Sequence, residues 1–179
     1  MSRRGPLQGA PPEPRPAGKP IGGDSASAGE QAPGPKASEW FSETGLRFTC
    51  TRCGACCTGA AGFTWISEPE LAVLADHLGL DPDTCRRRYT RSVHFPDGRV
   101  VLSLNERGNG DCVFFRAGTG CTVYDQRPRQ CRTWPFWKRV VATSDSWSQS
   151  AAGCPGMNQG RLVAADEVRG IASDDGLPG

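Results

Sequence analysis

Four cysteines fall within eight residues, in the run Cys50-Thr-Arg-Cys53-Gly-Ala-Cys56-Cys57, and no other feature constrains the chain as strongly. A Cys-x-x-Cys turn sets two sulfurs on the same side of a tight loop. Glycine inside it lets the backbone wrap, and the loop amides can then face the sulfurs. Thiolates are soft donors that suit zinc, copper(I) or iron–sulfur clusters. Arg52, inside the run, supplies positive charge that favours the thiolate form.

The chain has nine cysteines, and eight of them make a pattern. Beyond the run, Cys112, Cys121 and Cys131 each lie at the end of an element or in a turn, and Cys154 precedes Pro155. Cys85 stands apart in an arginine-rich stretch and is expected to be an ordinary buried thiol. Eight thiols allow two four-thiolate sites, or one such site with additional redox cysteines. Adjacent Cys56 and Cys57 do not easily face the same way, so one of them is expected to serve a second site or to be spare. Cys50-x2-Cys53-x2-Cys56 has the spacing of the clustered ligands of bacterial ferredoxins, which add a remote cysteine before proline; Cys154-Pro155 fits that part. The radical-SAM spacing is absent. Disulfides or inert buried thiols are the competing readings, and four cysteines in eight residues are not what inert buried thiols would give.

Redox compartment bears on that choice. Arg3 and Arg4 are not followed by an apolar stretch of signal-peptide length. No run approaches the length of a membrane span. The chain is therefore expected in the cytoplasm, without membrane attachment, where structural disulfides are disfavoured. Residues 1–38 hold eight prolines, seven glycines and only Leu7 and Ile21 as large aliphatics, so they read as a disordered tail. The same stretch has five basic and three acidic side chains, which accounts for the whole net charge of +2. A neutral remainder argues against non-specific nucleic-acid binding, which needs a basic face.

Residues 39–173 are expected to form one domain, with 174–179 as a flexible C-terminal tail. Its modest aliphatic content suits a small core stapled by metal. Leu46-Arg-Phe-Thr49 reads as a short strand leading into the cysteine run. Ser67, Pro69 and Glu70 mark a capped helix start, Leu71, Leu74, Ala75 and Leu78 give it one apolar face, and Gly79 stops it. A second helix starts at Asp81-Pro82 and runs through Arg88 and Tyr89. The period then changes to two, with Val100, Leu102 and Leu104 on one face of a strand after the Pro96-Asp97-Gly98 turn. Residues 112–115 and 121–124 read as a hairpin, and 127–133 as a helical turn ended by Trp134-Pro135. A last helix is expected over 158–172. The fold class is α+β: a small, irregular, metal-stapled domain with a short antiparallel hairpin or sheet and about three helices.

Other polar residues carry weaker signals. His77 and His94 are not needed where eight thiolates are present. Arg127, Arg129 and Arg132 surround Cys131 and would offset the negative charge of a thiolate-rich centre, or form a solvated turn. Trp134, Phe136 and Trp137 read first as core and second as a shield for the centre. No serine–histidine–aspartate set, phosphate-cradling loop or dinucleotide fingerprint is present.

Five blocks occur in order: Phe48-Thr-Cys50-Thr-Arg-Cys53-Gly-Ala-Cys56-Cys57, Trp65-Ile-Ser67, Gly110-Asp-Cys112-Val-Phe-Phe115, Gly120-Cys121-Thr-Val-Tyr124 and Arg127-Pro-Arg-Gln-Cys131-Arg-Thr-Trp-Pro-Phe136. Together they resemble the YkgJ-like CxxCxxCC family of zinc- or iron-chelating proteins, over roughly residues 46–157. The resemblance implies a metal ion as partner, zinc or iron, the latter alone or as a 4Fe–4S cluster. Cys50, Cys53, Cys56, Cys57, Cys112, Cys121, Cys131 and Cys154 are the candidate ligands. Some members of the family are labelled iron–sulfur oxidoreductases, so a redox subunit is the alternative function. The flagellin lysine methylases carry a related cysteine domain, but this chain is too short for their larger architecture, and no enzymatic role is carried over. No protein partner is implied.

Overall fold

A computed structural model of the chain describes residues 39–59 and 61–178. The proline-rich segment 1–38 lies outside the described residues.

Local chemistry sets the first elements. Ser67 starts helix α1 (Glu68–His77). Its backbone N–H donates to Glu70 Oε2 at 2.9 Å and its hydroxyl to the same oxygen at 2.8 Å, so the orphan donors of the first turn are met locally. Leu71 and Leu74 point inward and are fully buried, each burial worth about 1.5–3 kcal/mol of transfer free energy. Asp81 caps α2 (Pro82–Tyr89) by accepting from Thr84 N at 2.9 Å. The chain leaves α2 directly into β2 (Thr90–His94), which pairs antiparallel with β3 (Val100–Leu104), Thr90 opposite Leu104 and His94 opposite Val100. The Pro96-Asp97-Gly98 turn joins them as expected, closed by Phe95 N donating to Arg99 O at 2.9 Å. On β3 the expected alternation is not kept, since adjacent Ser103 and Leu104 are both buried. Leu104 is buried, whereas Val100, beside the turn, is exposed.

Two further antiparallel pairs complete the described sheets. β1 (Leu46–Phe48) pairs with β6 (Met157–Val163). The hairpin of β4 (Phe115–Arg116) and β5 (Gly120–Cys121) is shorter than residues 112–115 and 121–124 suggest, with Phe115 opposite Cys121. A 3-10 turn (Tyr124–Gln126) leads to α3 (Arg129–Thr133), the expected helical turn, and then to α4 (Lys138–Val141), α5 (Ser144–Ala152) and α6 (Ala165–Ser173). The α+β class holds.

The last expected helix is corrected at its front. Residues 157–163 are strand β6, and only 165–173 are helical. Asn158 and Gly160 have φ of 61° and 71°, which no helix accommodates. Leu162 consequently faces outward and is exposed, while Val168 on α6 is fully buried. The segment after α6 lies against α3. Thr133 Oγ1 donates to Asp175 O at 2.6 Å, and Arg129 Nε donates to Asp174 O at 2.8 Å.

The apolar interior is in two pieces. One gathers Phe41, Leu46, Phe136, Trp137, Trp147 and Val168 around β1, β6 and the C-terminal helices. The other gathers Ile66, Leu71, Leu74, Leu104, Phe114 and Val123 around α1, α2 and β3. Cys154 belongs to the first, Cys112 and Cys121 pack against the second, and Phe48 and Trp134 pack against the first.

Candidate metal centre

The run 50–57 has no regular secondary structure, as Gly54 and the dense cysteines suggest. Arg52, between two cysteines, sits in the left-handed region at φ 57°, an uncommon conformation for a side chain of this size and a sign of local constraint. Gly54, at φ 86°, lies so close to Phe115 that a Cβ there would collide with its ring. The run is thus pressed onto the β4–β5 hairpin. Cys57 N donates to Gly54 O at 2.7 Å, and Cys112 N donates to Cys57 O at 2.8 Å.

The other end of the site is anchored just as closely. Thr49 N donates to Gly156 O at 3.2 Å, and a Cβ on Gly156 would collide with Thr49 O. Cys50 follows Thr49 directly, and Cys154 lies two residues before Gly156. Cys131 sits in the middle of α3. Buried Gln130 beside it accepts from Trp65 N at 2.6 Å through Oε1 and donates to Phe63 O at 3.1 Å through Nε2. Trp137 Nε1 donates to Gln130 O at 2.8 Å. Glu70 accepts from Arg129 N as well as capping α1, so one carboxylate fixes both helices.

These contacts bring all eight pattern cysteines to the wall of one cavity of about 50 Å³, where roughly 10–15 Å³ is enough for one water-sized particle. Cys85 is not among its lining residues; it is buried under α1 in the second apolar cluster, as expected. His77 and His94 are exposed and away from the cavity. Phe48, Phe114, Val123 and Trp134 give the cavity apolar walls, and Arg52 and Arg127 give it positive charge. Among the described residues, no three histidine, cysteine or carboxylate side chains converge tightly enough to hold a metal ion as they stand. The thiols surround a space rather than a point. Eight soft donors with apolar walls and cationic neighbours fit zinc or iron and offer nothing to a hard ion such as magnesium.

The thiols do not behave alike. Cys56 Sγ and Cys57 Sγ are 3.6 Å apart, so the adjacent pair does face one space, contrary to the expectation that the two diverge. The hydrogen bond with Cys57, supported by the backbone and by the positive charge of Arg127, holds Cys56 down to about 7, although partial desolvation of the sulfur opposes this. Cys57 is pushed up by the same bond and by burial. Burial pushes up Cys112, Cys121 and Cys131. Cys53 and Cys56 are exposed, so the cavity is reachable from solvent on their side.

Arg127 packs its guanidinium on the Tyr124 ring, Arg52 approaches the same ring, and Tyr124 and Cys50 both line the cavity. Burial first, and the neighbouring Cys50 second, raise the phenol, so it stays protonated. Of the three arginines around Cys131, only Arg127 lines the cavity. Arg129 pairs with Asp174 and Arg132 with Glu70. Trp134 is a wall, while Phe136 and Trp137 are core. Tyr124 and Gln130 drew no attention in the sequence. Their only signal there is membership of the blocks around Cys121 and Cys131.

The model of a family described as "CxxCxxCC: Putative zinc- or iron-chelating domain" matches residues 49–155. The chain belongs to this family. The CxxCxxCC match begins one residue before Cys50 and ends one residue after Cys154, so it encloses the whole cysteine pattern. Metal binding, zinc or iron, is the described property of CxxCxxCC domains. The chain is also similar to the uncharacterized protein MJ0661 of Methanocaldococcus jannaschii, 31% identical over 109 residues, which is 58% of this chain and 55% of that protein. The chain thus spans about half the length of this curated relative. No solved structure matches it. No helix among the described residues is long and apolar enough to cross a membrane.

Proposed function

We propose that this chain chelates zinc or iron through Cys50, Cys53, Cys56, Cys57, Cys112, Cys121, Cys131 and Cys154, and that the metal ties the amino-terminal loop to the β4–β5 hairpin and α3. The observation that carries this reading is selective. All eight cysteines of the pattern reach one cavity, and the ninth does not. Buried inert thiols would have no reason to sort this way. Disulfides would need a partner for each sulfur, whereas the nine thiols are all free.

When bound, the metal supplies a fixed point of charge to which soft sulfur donors converge. The chain's own residues do the rest. Arg52 and Arg127 offset the negative charge of gathered thiolates, Tyr124 lines the cavity with a protonated phenol, and Phe48 and Trp134 keep water from the inner wall. A reducing cytoplasm would keep the thiols available.

A second reading, an iron–sulfur redox module, is favoured by the spacing Cys50-x2-Cys53-x2-Cys56 with the remote Cys154-Pro155. Anaerobic purification followed by assay of zinc, iron and acid-labile sulfide separates the two. Chelation predicts stoichiometric zinc or iron. The redox reading adds sulfide and a brown colour that bleaches on reduction. A folded protein free of both metals overturns both readings.

A further inference from the structure

Cys131 sits on an element that cannot hold itself in place. Helix α3, which carries it, is five residues long and has no side chain capping its start. Helix α4, which follows, is four residues long and equally uncapped. Helices this short do not persist by their own hydrogen bonds, because the first turn fixes several dihedrals for each bond gained. Their positions are set from outside. Glu70 and Gln130 tie α3 to the α1 side. The segment 174–177, just after α6, adds a second set of ties.

These ties fall on both sides of Cys131. Before it, Arg129 Nε donates to Asp174 O at 2.8 Å and pairs with the Asp174 carboxylate at 2.9 Å. Gly176, at φ 78°, lies so close to the helix backbone that a Cβ there would come within 2.4 Å of Gln130 N. After it, Thr133 Oγ1 donates to Asp175 O at 2.6 Å. Asp175 also reaches the next helix. Its Oδ2 accepts from Lys138 N at 3.0 Å, meeting an orphan donor at the start of α4, and its Oδ1 accepts from Leu177 N at 3.0 Å. Thr133 and Lys138 bracket Trp134-Pro-Phe-Trp137, and Trp134 is a wall of the cavity. One residue thus clamps the end of the Cys131 helix and both ends of the Trp134 wall. None of residues 174–177 lines the cavity itself.

Resting on the metal-binding reading above, we propose that residues 174–177 form a positioning strap for the metal centre, with Asp175 as its positioning residue. The strap keeps Cys131 and Trp134 at the cavity wall without touching a ligand sulfur. A metal bound through Cys131 is then retained in part by a segment it never meets. The coupling is reciprocal: whatever the closed strap adds to metal affinity, bound metal adds to closure of the strap.

The first arm of the test uses the unaltered full chain, reduced and anaerobic, with amide hydrogen exchange followed by NMR with and without zinc(II). The Lys138 and Leu177 amides both donate to Asp175. They are expected to exchange about tenfold more slowly with zinc bound, a usual size for coupling between sites. The Phe95 amide, bonded to Arg99 O in the β2–β3 turn, is the control and is expected to change less. This arm does not depend on how any variant folds. The second arm measures zinc affinity by competition with a chromophoric chelator, and the alkylation rate of each cysteine in the metal-free protein. Asp175→Ala is expected to weaken zinc about tenfold, the low end for residues that support ligands from behind. Cys131 should be alkylated faster, while Cys53 and Cys112 keep their rates. Asp175→Asn, which retains one acceptor, should recover part of the affinity. Unchanged affinity in Asp175→Ala, slowing at Lys138 and Leu177 no greater than at Phe95, or alkylation raised equally at all cysteines overturns the strap alone. An unaltered chain that binds no zinc overturns the metal-binding reading, and the strap falls with it.

Discussion

The Arg127 guanidinium lies 3.4 Å from the centre of the Tyr124 ring, while its Nε donates to the Tyr124 carbonyl. One side chain thus fixes an aromatic ring of the cavity lining and carries positive charge on the cavity wall. Arg127→Gln keeps much of the shape and removes the charge. Zinc affinity is expected to fall about 10- to 100-fold, the usual cost of losing a residue that supports metal ligands. Arg127→Lys should recover part of the loss. Competition with a chromophoric chelator measures this, and equal affinity in all three proteins would show that the arginine is only a packing element.

Gly156→Ala tests the close approach that brings Cys154 to Cys50. The new methyl collides with Thr49 O, which is backbone and cannot swing away. The metal-loaded protein is expected to lose about 1–3 kcal/mol of stability, as overpacked sites generally do. Chemical denaturation reads the loss. A variant of unchanged stability would mean that the Thr49–Gly156 contact is loose.

Cys85→Ala should separate structure from metal chemistry. The thiol is fully buried among Leu71, Leu74 and their neighbours, outside the cavity. Truncation is expected to cost on the order of 1 kcal/mol and to leave the metal content unchanged. Loss of metal in this variant would mean that the ninth cysteine is a ligand after all.

Much of this site was legible in the sequence because cysteine chemistry is local and spacing-dependent. The run at 50–57, the blocks around Cys112, Cys121 and Cys131, and the exclusion of Cys85 all reappear around one cavity. Capping and turn signals at Ser67, Asp81 and Asp97 placed α1, α2 and the β2–β3 turn because they act within a few residues. What the sequence hid depends on distant partners. Met157–Val163 reads as helix until β1 pairs with it and Asn158 and Gly160 adopt positive φ. β2 gives no signal of its own, because Thr90–His94 hold a single aliphatic residue, Val93. Gln130 looks like an unremarkable surface residue until Phe63 and Trp65 claim both ends of its amide. The 3.6 Å approach of Cys56 and Cys57 is set by the Gly54 turn and the hairpin beneath it, neither of which residue spacing reports.

Metal loading should release protons. Burial raises Cys112, Cys121 and Cys131, so in the metal-free protein these thiols hold their protons at neutral pH. A metal ligand must be the thiolate, so each proton is displaced on binding. Affinity therefore rises with pH and weakens as pH falls. Cys56, already held down to about 7, contributes only part of a proton there. Calorimetric titration with zinc in two buffers of different ionisation enthalpy gives the net release directly. An identical heat in both buffers would mean that these thiols are not displaced.

The most direct test of the account is X-ray absorption at the zinc or iron edge of the protein purified anaerobically. The account predicts a first coordination shell of sulfur alone, at about 2.3 Å for zinc. A shell of nitrogen or oxygen near 2.0–2.2 Å would contradict it, because it would place the metal on histidines or carboxylates and away from the cavity that Cys50–Cys57 line.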